Sequence, residues 1–120
     1  MEKLTRQEEE LLMVIYQVGD GFIKDFLDQM PEPRPPYTTV ASTAKNLERK
    51  GFLKSKQYRN SYSYSPVYEL SEFKSRFMSN VVQNYFENSY KEMVSFMVEK
   101  QKISPKDLQD IINHIEKGKP

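Results

Sequence analysis

The stretch 37-YTTVASTAKNLERKGFLKSKQYRNSYSYSP-66 changes periodicity halfway along and concentrates charge, and the two features together decide the fold. Val40, Ala44 and Leu47 fall at i, i+4 and i+7, the apolar stripe of a helix expected over Thr38–Lys50. Gly51 stands where a left-handed C-terminal cap is wanted. At about 100° per residue, Thr38, Ser42, Lys45 and Arg49 gather on the other side, roughly 150° from the stripe. After Gly51 the period shifts: Tyr58, Tyr62 and Tyr64 alternate with polar residues as in two half-buried strands, and Arg59-Asn60-Ser61 supplies the turn between them. The three tyrosines are expected to pack on the helices beneath rather than to stack on bases.

Upstream lie two more helices. Thr5 and Glu8 have the spacing of a capping box, and Leu11, Leu12, Ile15 and Val18 continue one apolar face to Gly19-Asp20-Gly21, so the first helix is expected over residues 5–18. Phe22, Phe26, Leu27 and Met30 give a second, short helix over about residues 22–30. Pro31 ends it, and PEPRPP reads as a stiff turn. Three short helices followed by a hairpin is the element order of a winged helix-turn-helix.

Downstream the pattern is helical again. Phe73, Phe77, Val81 and Tyr85 form a ladder of four-residue steps, Met93, Phe96 and Met97 follow an Asn88-Ser89 break, and Ser104-Pro105 opens a last helix whose apolar residues are Leu108, Ile111, Ile112 and Ile115. These fifty or so residues carry more large apolar side chains than one small lobe covers alone. A second copy of the chain is the expected cover, with packing onto the N-terminal part as the alternative. The fold class expected is mainly α with a small β-hairpin: a winged helix-turn-helix domain over residues 1–70 and a helical dimerisation region over residues 71–120.

Charge divides sharply. The 120 residues sum to +1, yet residues 1–33 carry −5, residues 34–59 carry +6 and residues 60–120 balance to zero. Within Lys45–Arg59 six cations (Lys45, Arg49, Lys50, Lys54, Lys56 and Arg59) face the single acid Glu48. A polyanion meets such a segment favourably and is repelled by the one before it. A helix with hydroxyls near its start and cations later suits the major groove. The DNA-contacting residues expected are therefore Thr38, Thr39, Ser42, Lys45, Asn46 and Arg49 on the third helix, with Lys56, Arg59 and Asn60 on the hairpin.

Other chemistry finds little support. The chain has no cysteine, which excludes disulfides and thiolate metal sites. Its only histidine, His114, has no local ligand or nucleophile beside it and reads as a surface or interface residue. Glu8-Glu9-Glu10 begins a helix, where negative charge complements the macrodipole, so no metal is expected there. No phosphate-binding glycine loop occurs. No cofactor, metal or catalytic residue is expected, and with no apolar run long enough for a membrane span or signal peptide a cytoplasmic protein is expected.

With 4-LTRQEEELLMVIYQVG-19, 37-YTTVASTAKNLERKGFLKSK-56 and the hairpin end 62-YSYSP-66 in view, the chain resembles the penicillinase repressor family, the BlaI/MecI group of bacterial winged-helix repressors. The motif that carries the resemblance is 38-TTV-40 with 47-LERKG-51. It implies a homodimeric repressor on a palindromic double-stranded DNA operator, with interlocked C-terminal helices. Ala41 and Asn46 depart from the polar or arginine side chains that relatives often carry at those positions. Some relatives are released by a regulatory protease that cuts an Asn-Phe bond. The nearest stretch here, 95-SFM-97, lacks that pair, and the cysteine-rich copper-binding tail of other relatives is missing too. Two further readings stand beside this one: a PadR-type regulator that pairs its helices differently and senses a small phenolic ligand, and a winged-helix protein-interaction module without DNA binding.

Overall fold

Helix α1 (Arg6–Val18) begins with the reciprocal bonds its sequence predicts: Thr5 Oγ1 accepts from the Glu8 N–H at 3.1 Å, and Glu8 Oε1 accepts from the Thr5 N–H at 2.8 Å. In the computed structural model, which describes residues 2–118, the chain divides into a first unit over 1–75 and a second over 76–120. Gly19 ends α1 at φ 91°, a backbone region that other residues avoid.

Strand β1 (Gly21–Phe22) follows, then α2 (Ile23–Asp28), which is shorter than the helix expected over 22–30 at both ends: Phe22 has joined a sheet, and Gln29 caps the helix before Met30, which precedes Pro31. Its N–H is held by Asp25 Oδ2 at 2.8 Å. Helix α3 (Tyr37–Arg49) buries Val40, Thr43, Ala44 and Leu47. Lys50 caps it, and Gly51 turns left-handed at φ 90°. The N–H groups of Gly51 and Phe52 then donate to the carbonyls of Glu48 (3.0 Å) and Leu47 (2.9 Å), the paired bonds of a Schellman stop with Leu47 and Phe52 both buried around it.

That stop throws the chain into β2 (Leu53–Tyr58), which pairs antiparallel with β3 (Ser61–Pro66), Tyr58 opposite Ser61 and Leu53 opposite Pro66. The sheet order is β1-β3-β2, with Gly21 opposite Tyr64. Helices α4 (Leu70–Tyr85), α5 (Tyr90–Glu99) and α6 (Pro105–Lys117) complete a mainly helical winged helix-turn-helix.

In the first unit Leu12, Ile15, Phe26, Leu47 and Phe52 are fully covered, each such side chain contributing about 1.5–3 kcal/mol. Phe73 packs edge-on to Phe52 (6.0 Å between ring centroids) and beside Tyr16 (5.8 Å), so it is spent in the core of its own chain rather than offered to a second copy. Of the three hairpin tyrosines only Tyr64 is buried. Tyr62 points to the same face but stands two residues nearer the turn, where the hairpin outruns the core. Tyr58 lies on the opposite face against Phe22, 5.8 Å away. Both therefore stay exposed, contrary to expectation.

The second unit is built differently. Among its described residues only Val82 is buried, and α5 and α6 contain no buried residue. Phe86 meets Phe96 at 5.6 Å, and Ser104 with Asp107 forms a second capping box. Tyr85, Tyr90, Phe96, Ile111, Ile112 and Ile115 stay exposed.

Lys50, one of the six cations of the basic segment, turns inward. Its Nζ donates to Glu8 Oε1 at 2.6 Å and to the Lys3 carbonyl at 2.9 Å, with 12% of the lysine and 5% of the glutamate side chain exposed. Burial alone would raise the Glu8 carboxyl, but the bonds from Lys50 and Thr5 and the lysine charge outweigh it and hold the carboxyl below its ordinary 4.5. The stabilisation is therefore complete above that ordinary value and disappears as the pH falls through the lower, folded one. Urea titration should show Glu8→Ala costing about 3 kcal/mol at neutral pH, and Glu8→Leu with Lys50→Met together costing less than either alone, because a lone buried charge is worse than none. Equal or additive losses would show that the pair is solvated.

Candidate nucleic-acid interface

The inward pull of Val40, Ala44 and Leu47 fixes which side of α3 faces outward. Thr38, Ser42, Lys45, Asn46 and Arg49 are exposed on it, and Thr39 is half-buried at its edge. The Thr39 carbonyl accepts from Thr43 Oγ1 (2.8 Å) and Ser42 Oγ (3.0 Å). The Ser42 hydroxyl proton is thus engaged with the helix, and the oxygen presents lone pairs outward, suited to a base-edge donor. Lys45 and Arg49 are unpaired by any carboxylate among the described residues.

The hairpin is held to α3 from below. Ser55 Oγ donates to Glu48 Oε2 at 2.6 Å, which turns the one acid of the basic segment away from the exposed face and identifies the strand face that meets α3. Strand alternation then puts Leu53, Ser55 and Gln57 on the α3 side and Lys54, Lys56 and Tyr58 on the other. Lys56 Nζ lies 5.2 Å from the centre of the Tyr58 ring. So Lys56 does not share the outer face of α3, whereas Arg59 and Asn60 form the tip between the two sides. Arg59 adopts φ 53°, the left-handed conformation of a tight two-residue turn.

The structure therefore brings Thr38, Ser42, Lys45 and Arg49 together on one face of α3, lines one groove with Lys45, Tyr58, Asn60 and Tyr62, and leaves Lys56 outside that lining, beside the Tyr58 ring. Sequence reasoning missed the groove, which also contains Phe22 and Tyr37. The only hint was the abundance of tyrosine around the turn. Burial pushes the Tyr64 hydroxyl up, helped by Glu48, Tyr62 and Tyr37 nearby. Among the described residues no group of three His, Asp or Glu side chains could hold a metal, and no helix is long and apolar enough to cross a membrane.

A helix-turn-helix whose last helix shows hydroxyls and cations outward, flanked by a β-hairpin, defines the winged-helix class of DNA-binding regulators. The chain belongs to the penicillinase repressor family, whose model matches residues 4–117, and membership places it among DNA-binding transcriptional repressors. No curated protein matches it. Among solved structures, Bordetella bronchiseptica BpsR, described for regulation of its DNA binding by 6-hydroxynicotinic acid, is 14% identical with a TM-score of 0.49 over 97% of this chain and 75% of that one. TrmBL2, an archaeal chromatin protein described with a novel mode of DNA binding, is 17% identical with a TM-score of 0.46 over 86% of this chain and 40% of its own. Both similarities are too distant to bear on function.

Gly51 sets the angle between α3 and the hairpin. A Cβ there meets nothing within 4 Å, so Gly51→Ala tests the backbone alone. Thermal unfolding should report a loss of about 1–2 kcal/mol, the cost of a left-handed alanine. No loss would mean that the stop does not require that conformation.

Proposed function

We propose that the chain is a homodimeric transcriptional repressor that lays α3 of each copy into successive major grooves of a palindromic operator, about 34 Å apart. The observation that carries this reading is the split of α3 into a face locked in the core and an opposite face bearing Thr38, Ser42, Lys45 and Arg49. Thr38, Thr39, Ser42 and Asn46 meet base edges or phosphates, and Lys45 and Arg49 meet phosphates or a guanine. Arg59 and Asn60 at the hairpin tip enter the neighbouring minor groove. Lys56, on the far side of the hairpin, contacts the strand across that groove.

Residues 71–120 supply the dimer contact in this reading. With one buried side chain in its described residues, the second unit needs a cover for Phe77, Val81, Tyr85, Met93, Phe96, Met97, Leu108, Ile111, Ile112 and Ile115, and a second copy provides it by symmetry. The protein works in the cytoplasm, where its operator lies, and is not an enzyme. With no Asn-Phe pair at 95-SFM-97, a regulatory protease would have to cut elsewhere.

Duplexes selected from a random library and measured by fluorescence anisotropy test the reading. Lys45→Ala with Arg49→Ala should weaken binding roughly 10- to 100-fold and flatten the log K against log salt slope by about 1.8, the loss of two phosphate neutralisations. Unchanged affinity and slope would remove α3 from the contact. In sedimentation, Phe77→Glu with Val81→Glu should give monomers that bind the same duplex more weakly, and an intact dimer would exclude that helix face from the interface.

A further inference from the structure

Beside α3 runs an open groove of about 570 Å³, bounded by the start of α3, the start of α2 and the hairpin end. Five aromatic side chains line it; Tyr64 is buried, and the other four are exposed: Phe22 37%, Tyr37 55%, Tyr58 49% and Tyr62 44%. Exposed aromatics clustered in one place on a small polar protein mark a contact surface more often than chance placement does. Lys24 and Lys45 are also among its lining residues. Its one carboxylate, Asp25, is turned to the Phe22 N–H, so the lining is weakly cationic overall.

The hydroxyls matter most. Tyr16 bonds the Tyr68 carbonyl at 2.8 Å and so has a structural role for its oxygen, but the hydroxyls of Tyr37 and Tyr62 have no hydrogen-bond partner among the described residues. A groove of aromatic walls with two hydroxyls that no protein group engages, next to a cationic helix face, suits an extended anion that offers apolar sugar faces and many acceptors in a row.

We infer that this groove is the track of one sugar-phosphate strand of the bound duplex, with the Tyr37 and Tyr62 hydroxyls donating to phosphate oxygens between the α3 contact and the hairpin tip. The inference rests on the DNA-binding reading above and adds two neutral, sequence-independent contacts to it. Lys45 in the lining supplies the charge, and the tyrosines supply position without charge, fixing how deep α3 sits. The rings of Tyr58 and Phe22 form the apolar wall against which the deoxyribose lies. Because phenols release no counterions, their contribution separates from that of the lysines by its salt dependence.

Tyr37→Phe, Tyr62→Phe and the double variant remove only oxygens and keep every ring. Each is measured on a duplex selected by the wild-type protein and on a shuffled duplex of equal composition, across a series of salt concentrations. Each single change should weaken both duplexes about fivefold, the worth of one hydrogen bond, with an unchanged salt slope and unchanged thermal midpoint. Lys45→Ala in the same series should flatten the slope. Wild-type affinity in the double variant, or a loss confined to the selected duplex, overturns the track while leaving DNA binding in place. A wild-type protein that enriches no duplex overturns both.

Discussion

The buried bond between Glu8 and Lys50 is the constraint on which the rest depends. It joins the first turn of α1 to the C-terminal cap of α3 across 42 positions of sequence, and Glu8 serves in the same stroke as the capping carboxylate of α1. A helix of 13 residues could otherwise rotate about its axis within a small core. With Lys50 tied at its end and Val40, Ala44 and Leu47 inserted along its length, one rotation remains, and it points Thr38, Ser42, Lys45 and Arg49 outward. The Schellman stop at Gly51 passes the same constraint to the hairpin, and the Ser55–Glu48 bond locks it.

The charge distribution acquires a different meaning from this geometry. The basic segment sets six cations against one acid, but one cation is consumed in the core, the acid is turned beneath the hairpin, and Lys54 and Lys56 lie on the far strand face. What is left facing out from α3 is Lys45 and Arg49, with Arg59 at the tip. A small number of well-placed charges suits a regulator that must leave its site, since each phosphate contact adds to affinity regardless of sequence.

How much could be read in advance followed the range of the interactions. The capping box at Thr5, the N-cap at Ser104, the apolar stripe of α3 and the Gly51 stop are encoded within a few residues, and each was legible. Strand β1 was not, because two residues show no alternation and their partner in β3 is some forty positions away. Nor was the Lys50 bond, since a lysine ending a basic helix looks the same whether it meets solvent or a glutamate from another helix. The exposure of Tyr58 and Tyr62 depended on how far the hairpin projects past the core. Phe73 was legible as apolar, but the first turn of α4 uses it on Phe52 and Tyr16 within the same chain.

The central claim is that two copies of α3, oriented by these bonds, read a duplex one helical turn apart. Hydroxyl-radical and methylation footprinting of a selected duplex tests it most directly. The account predicts two symmetric patches of major-groove guanine protection with centres about 10 base pairs apart. A single patch, or protection spread evenly with no fixed spacing, would contradict it.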